Sequence, residues 1–297
     1  MMQKAKPFVK WAGGKSQLLE EIRKRYPPCI EKYCEPFVGG GAILFDVLGR
    51  CFPKKVLIND INSDLINVYL QVKNNCSLLV EYLSSLQDVY QNLSSKEERK
   101  KLFYQKRQRY NEIGIVRGEV ARELHLEKAT LFIFLNKTCF NGLYRVNSKG
   151  FFNVPYNNAE NPLLCDKENL LACSHLLQNV EITAGDYHAC EYFIDADTFV
   201  YLDPPYRPIT KTSNFTAYSS DGFDDEAQRD LSNFVKTIAS KGATVLVSNS
   251  DPKNTDADDE FFDLLYSDFA IDRVRASRMI NRDANGRSAI SELLIGN

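Results

Sequence analysis

Residues 33 to 60 constrain this chain more than any other segment, because they pack a strand, a turn, a helix and a second strand into one short run. Tyr33 to Pro36 reads as a strand, residues 37 to 41 as a glycine loop, 42 to 50 as a helix and Val56 to Ile58 as a strand ending at Asn59-Asp60. That order begins a parallel, doubly wound α/β sheet. Gly39 and Gly41 follow a strand and precede a helix, where backbone can approach a ligand closely. A dinucleotide fingerprint would want glycine at position 44, and Leu44 stands there. Asp60 ends the next strand, 19 residues beyond Gly41, where an acid can hold the two hydroxyls of a ribose. A ribose crevice without the pyrophosphate fingerprint favours S-adenosylmethionine over NAD. A glycine-rich turn followed by an ordinary strand-end acid is the competing reading.

The remaining texture divides the chain. Residues 16 to 26 read as a helix with Ser16 as its cap and a stop at Pro27-Pro28. From about 64 to 138 the pattern is helical, and residues 96 to 122 carry nine Lys/Arg against four Glu. Residues 139 to 165 are polar and rich in Asn, Gly, Pro and aromatics. Strand signals return at Val180 to Thr183, Phe199 to Leu202, Thr244 to Val247, Phe269 to Val274 and Ala289 to Leu294. The economical architecture is an α/β domain over 1–63 and 166–297, interrupted by a helical, locally basic insert over 64–165. With a net charge of −2, any site for a polyanion must be local. No apolar run reaches membrane-spanning length, and the first residues lead into a motif rather than an apolar signal segment. The eight cysteines form no C-x-x-C, and the three histidines form no metal-binding pattern with them. The expectation is a metal-free cytoplasmic protein with reduced thiols.

Two further stretches carry chemistry. In V-Y-L-D-P-P-Y-R-P, residues 200 to 208, an apolar strand ends in an acid, two prolines and a tyrosine. Pro204 and Pro205 stiffen the backbone and supply no N–H, so the carbonyls of Asp203 and Pro204 lie in a loop poor in donors. Acceptors held rigidly beside the ring of Tyr206 suit a planar ligand carrying an amino group. A stiff turn, with Asp203 capping and Tyr206 covering the core, is the alternative. The G-K-S tail of F-V-K-W-A-G-G-K-S, residues 8 to 16, suggests a phosphate loop, but that motif needs glycine at position 9, which is Val9. Trp11, the only tryptophan, could instead cover a bound cofactor with Lys15 facing its carboxylate; a core Trp11 with solvated lysines is the alternative.

F-V-K-W-A-G-G-K, E-P-F-V-G-G-G-A, N-D-I-N-S-D-L, F-N-G-L-Y-R-V-N, F-N-V-P-Y, D-P-P-Y and N-F-T-A-Y occur in that order. The chain resembles the Dam-type DNA adenine-N6 methyltransferases along nearly its whole length. The resemblance implies a Rossmann-like methyltransferase domain with a helical target-recognition insert. It also implies methyl transfer from S-adenosylmethionine to N6 of a flipped adenine in double-stranded DNA, usually within GATC. Trp11, Lys15, Phe37, Gly39, Gly41, Asp60 and Asp186 match cofactor positions, Asp186 being the acid that meets the cofactor's adenine. Asp203, Pro204, Pro205 and Tyr206 match the catalytic tetrapeptide, with Asp203 near the cofactor as well. Lys10, Phe140, Asn141, Leu143 and Arg145 match positions that read or intercalate the target; Phe140 stands where the family often has tyrosine. A cognate restriction endonuclease is a further partner the resemblance admits. Methylation of RNA or small-molecule amines would keep the cofactor motifs without needing the insert. The acidic stretch after Asp251 has no assigned role.

Overall fold

The structure, a computed structural model, describes residues 4–114, 122–207, 223–277 and 289–297. The strands are β1 (Lys32–Glu35), β2 (Lys55–Asp60), β3 (Val180–Ala184), β4 (Thr198–Leu202), β5 (Thr244–Ser250), β6 (Ala270–Ser277) and β7 (Ala289–Gly296). The helices are α1 (Leu19–Arg23), α2 (Ala42–Arg50), α3 (Ser63–Asn74), α4 (Cys76–Gln91), α5 (Lys96–Ile113), α6 (Arg122–Thr138), α7 (Lys167–Leu177), α8 (Asp225–Ser240) and α9 (Phe261–Leu265). Every expected strand is present, within a few residues of its expected ends. The chain divides into two compact units. One comprises Met1–Gly14, Gly39–Arg50 and Asn59–Gly185; the other comprises Lys15–Val38, Cys51–Ile58 and Asp186–Asn297.

The second unit is built on a sheet in the order β2-β1-β4-β5-β7-β6. β1 pairs in parallel with β2 and β4, and β4 in parallel with β5. All five residues of β4 are buried, as expected of a strand covered on both faces. On one face α8 lays down Leu231, Phe234, Val235 and Ile238 against Val200, Leu202, Val245 and Val247. Asp224 starts that helix by accepting from the backbone N–H groups of Glu226 and Ala227. The far side departs from the parallel expectation: β7 runs antiparallel to β5, and β6 antiparallel to β7. Only residues 278–288 separate β6 from β7, fewer than a parallel crossover of a dozen or more residues takes. The helix expected over 16 to 26 is also shorter. It divides into a 3₁₀ turn at Lys15–Gln17 and α1, whose N-cap is Leu18 without a side-chain cap, so Ser16 does not cap it.

The first unit is mostly helical. α6 is buried along most of its length and packs against α3, α4 and α5. α5 opens with a capping box between Ser95 and Glu98 and buries only Phe103 and Tyr110, while Lys96, Lys100, Lys101 and Arg109 are exposed. Lys128 of α6 is buried and donates to the carbonyls of Tyr110 and Gly114 at the C-terminal end of α5. β3 adjoins the last residues of β2, which belong to this unit: Gly185 N donates to the Asp60 carbonyl and Thr183 Oγ1 to Asn59 Oδ1. This unit is larger than the insert expected over 64–165, since α2, α7 and β3 cluster with the helices. No helix among the described residues is long and apolar enough to cross a membrane.

Candidate active site

In the first unit the glycine loop is built around Trp11. Gly39 and Gly41 hold φ of +47° and +75°, a region that favours glycine. A Cβ at Gly39 would stand 2.7 Å from Trp11 Cδ1, and one at Gly41 2.5 Å from the Tyr69 hydroxyl. The glycines thus answer first to close packing under an indole and a phenol, a requirement local sequence does not distinguish from ligand approach. Asp60 ends β2 with both carboxylate oxygens engaged: Oδ2 accepts from Gly39 N at 3.0 Å and Oδ1 from Asn62 N at 2.9 Å. Burial pushes its pKa up to about 6 against the pull of those two backbone donors. Each oxygen retains acceptor capacity beyond its one N–H, which fits a pair of ribose hydroxyls.

In the second unit Lys15, Asp203 and Tyr206 meet. Lys15 is buried, and its Nζ donates to Asp203 Oδ1 at 2.6 Å and to the Tyr206 hydroxyl at 2.8 Å. Lys15, expected to face a cofactor carboxylate, meets a protein carboxylate here. Tyr206 in turn donates to Glu292 Oε2 at 2.7 Å. Burial raises the Asp203 pKa above its ordinary value, opposed by the Lys15 charge and by hydrogen bonds from Lys15 and Ser248. Burial and the nearby Asp203 and Glu292 carboxylates likewise keep the Tyr206 phenol protonated. The Pro205 carbonyl accepts from Gln228 Nε2 at 3.2 Å, whereas among the described residues nothing donates to the Pro204 carbonyl. Phe37 packs its ring against Tyr187 and Phe223. Asp186 is exposed and caps the 3₁₀ segment Tyr187–Phe193, accepting from His188 N at 2.9 Å and from His188 Nδ1 at 2.7 Å.

The residues expected to face DNA all lie in the first unit. Asn136, buried in α6, ties two of their segments together. Its Oδ1 accepts from Lys10 N, and its Nδ2 donates to the carbonyls of Lys10 and Gly142. Phe140 is 53% exposed, and Asn141 is exposed in a left-handed conformation with φ 54°. Leu143 is half-buried. Arg145 is exposed, with Nε donating to Asn153 Oδ1 at 2.7 Å. Among the described residues its two terminal nitrogens take no protein partner. The N-F-T-A-Y motif lies outside the described residues.

Comparison with known proteins decides what this arrangement belongs to. The model of the D12 class N6 adenine-specific DNA methyltransferases matches residues 11–280. The chain belongs to that family. It is 47% identical to the type II methyltransferase M.MjaIII of Methanocaldococcus jannaschii, over 98% of this chain and 99% of that one. It is 37% identical to the type II methyltransferase M1.LlaDCHI of Lactococcus lactis subsp. cremoris, over 98% and 95%. It is 32% identical to a DNA adenine methylase of Haemophilus influenzae, over 98% and 93%.

The structure of this methyltransferase also places beside Asp203 and Tyr206 residues that no local pattern singled out. Ser248 is fully buried and donates to Asp203 Oδ1 at 3.1 Å, while its Oγ lies 2.9 Å from the Tyr201 hydroxyl. The pairing of Leu202 with Val247 in the parallel ladder makes Asp203 and Ser248 the next pair in register. Glu292 arrives on the reversed strand β7, paired with Ser250. The acidic stretch acquires a contact: Asp259 accepts from Arg207 Nη1 at 2.6 Å, and Asp225 accepts from Nε and Nη2 of the same side chain. Arg207 directly follows Tyr206, so these carboxylates anchor the chain where it leaves the Asp203–Tyr206 tetrapeptide.

Proposed function

We propose that this DNA adenine methyltransferase moves a methyl group from S-adenosylmethionine to N6 of an adenine flipped out of double-stranded DNA, within GATC. The observation that carries the reading is the acceptor pair at the end of β4. Asp203 Oδ1 already holds a primary nitrogen, Lys15 Nζ, at 2.6 Å, and the Pro204 carbonyl beside it takes no donor among the described residues. An adenine amine presents two N–H groups and has its lone pair delocalised into the ring. Accepting both bonds, Asp203 and Pro204 would draw the nitrogen toward tetrahedral geometry and aim its lone pair. Burial makes ionised Asp203 a stronger acceptor than a solvated carboxylate and a better recipient for the proton that N6 must lose. Bound S-adenosylmethionine supplies an electrophilic methyl group on a sulfonium. Positioning therefore supplies most of what the protein must do.

Tyr206 would stack on the flipped base, its hydroxyl held by Lys15 and Glu292. Stacking of roughly 1–3 kcal/mol offsets part of the few kcal/mol spent on unstacking and unpairing. We assign cofactor binding to Trp11, Lys15, Phe37, Gly39, Gly41, Asp60, Asp186 and Asp203. Asp60, with one backbone N–H on each oxygen, would take the ribose hydroxyls. Residues 64–165 serve as the target-recognition insert, with Lys10, Phe140, Asn141, Leu143 and Arg145 facing DNA. The relatives named type II methyltransferases support adding a restriction endonuclease of the same site as partner. A DNA substrate and eight free thiols support a cytoplasmic setting. The test is direct. Unmethylated plasmid treated with the protein and S-adenosylmethionine becomes resistant to a methylation-sensitive GATC nuclease. Methyl label in DNA without that resistance refutes the GATC assignment, and label only in RNA or small amines refutes the DNA reading.

A further inference from the structure

Within the first unit, three aromatic rings connect the glycine loop to the segment that carries Arg145. Trp11, which covers Gly39 and Gly40, lies 6.1 Å from the Tyr144 ring at 25° and 6.4 Å from Phe132 at 17°. Phe132 and Tyr144 are 5.4 Å apart at 23°, so the three rings stack on one another nearly parallel. Tyr144 stands between Leu143 and Arg145, and its hydroxyl donates to Asp64 Oδ2 at 3.3 Å. The same oxygen accepts from the Tyr110 hydroxyl at 2.5 Å and faces the buried Lys128 ammonium at 3.5 Å. Asp64 lies in the first turn of α3, on the segment that Asp60 begins and Asn62 caps. One side chain in the Phe140–Arg145 segment thus touches both motifs assigned to the cofactor in this unit. Its ring reaches the indole over the glycines, and its hydroxyl reaches the segment of the ribose acid.

We infer that Tyr144 is a positioning residue that couples cofactor binding at the Trp11–Gly39–Asp60 cluster to recognition of the target site by the Phe140–Arg145 segment. The inference rests on the proposed assignment of those two clusters to cofactor and DNA. Cofactor seated against Trp11 and Asp60 restrains the two groups Tyr144 leans on. Tyr144 then holds Leu143 and Arg145 in one arrangement, and DNA that selects this arrangement tightens the cofactor in return. Coupling of this kind is reciprocal: whatever factor cofactor adds to DNA affinity, DNA adds to cofactor affinity.

The experiment measures the affinity of the full chain for S-adenosylhomocysteine with and without a saturating duplex carrying the site the wild type methylates. A site other than GATC would change the duplex and leave this test intact. The wild type should show a coupling factor of about five- to 150-fold with that duplex, and a factor near one with a duplex lacking the site. Tyr144→Ala should bring the factor to about one, while affinity for S-adenosylhomocysteine alone changes less than about threefold. Tyr144→Phe, which keeps the ring and loses only the hydroxyl, should retain part of the factor. A merely structural role would weaken each ligand without altering the ratio. Trp11, the only tryptophan, tests the ring contact without any substitution: its emission should shift when the cognate duplex binds in the absence of cofactor. A full wild-type factor in Tyr144→Ala, a wild-type factor of one, or Trp11 emission indifferent to saturating cognate duplex would each overturn the inference.

Discussion

Replacing Ser248 by alanine separates catalysis from stability at this site. Ser248 gives its proton to Asp203 Oδ1 at 3.1 Å and leaves Oγ to accept from the Tyr201 hydroxyl at 2.9 Å, so two buried groups depend on one oxygen. Tyr201 is 1% exposed and has no other hydrogen-bond partner among the described residues. Its orphaned hydroxyl should cost about 1–3 kcal/mol of folding free energy, readable in urea unfolding. Asp203 loses a hydrogen bond to a charged group, worth about 1.5–3 kcal/mol. At about 1.4 kcal/mol per decade, complete loss of that bond in the transition state slows methyl transfer about ten- to a hundredfold. Tyr201→Phe alone keeps the bond from Ser248 to Asp203, so its rate should stay near that of the wild type. The double variant Tyr201→Phe/Ser248→Ala removes the orphan, and it should recover stability relative to Ser248→Ala while remaining slow. The assay is incorporation of labelled methyl into duplex DNA beside urea melts of the four proteins. A wild-type rate in Ser248→Ala, or a double variant no more stable than that single one, would refute the reasoning.

Asp203→Ala should abolish turnover and also destabilise the protein, because the buried Lys15 ammonium loses its carboxylate. Asp203→Asn keeps an acceptor oxygen and should remain folded by circular dichroism, with a large but incomplete loss of rate. Asp60 must be ionised to accept from both ribose hydroxyls. Affinity for S-adenosylhomocysteine should therefore be flat above about pH 6 and fall by up to about tenfold per unit below it, and Asp60→Asn should lose this dependence in calorimetry. The same raised pKa means that the folded state binds the proton more tightly. Between the ordinary 3.8 and about 6, stability should thus fall as pH rises, a slope that Asp60→Asn removes. Arg145→Ala should spare nonspecific binding and lose about 1–3 kcal/mol of discrimination at one guanine of the site. A uniform drop across GATC and its single-base variants would make Arg145 a phosphate contact.

How much was legible in the chain follows from what is local. Strands such as β2 and β4 were readable because a short apolar run ended by Asn-Asp or Asp-Pro-Pro carries its own signal. The placement of Asp60 and of Asp203 to Tyr206 at strand ends came with those runs. The order of seven motifs pointed to the family before any coordinate did, and it picked out Arg145, which the structure leaves exposed. Tertiary structure alone decided the company these residues keep. Ser248 reaches Asp203 because β4 and β5 pair in one register, and a slip of one residue would send that hydroxyl to the opposite face. Glu292 reaches Tyr206 from β7, whose antiparallel direction no periodicity reports. Lys15 turns to a carboxylate 188 positions away, and the glycines of the loop are shaped by an indole from another motif. Alternation and turn chemistry are properties of a few consecutive residues, so sequence carries them openly. Register, strand direction and the partner of a buried charge arise only when distant segments exclude water together, and at that point the fold chooses among neighbours the chain does not rank.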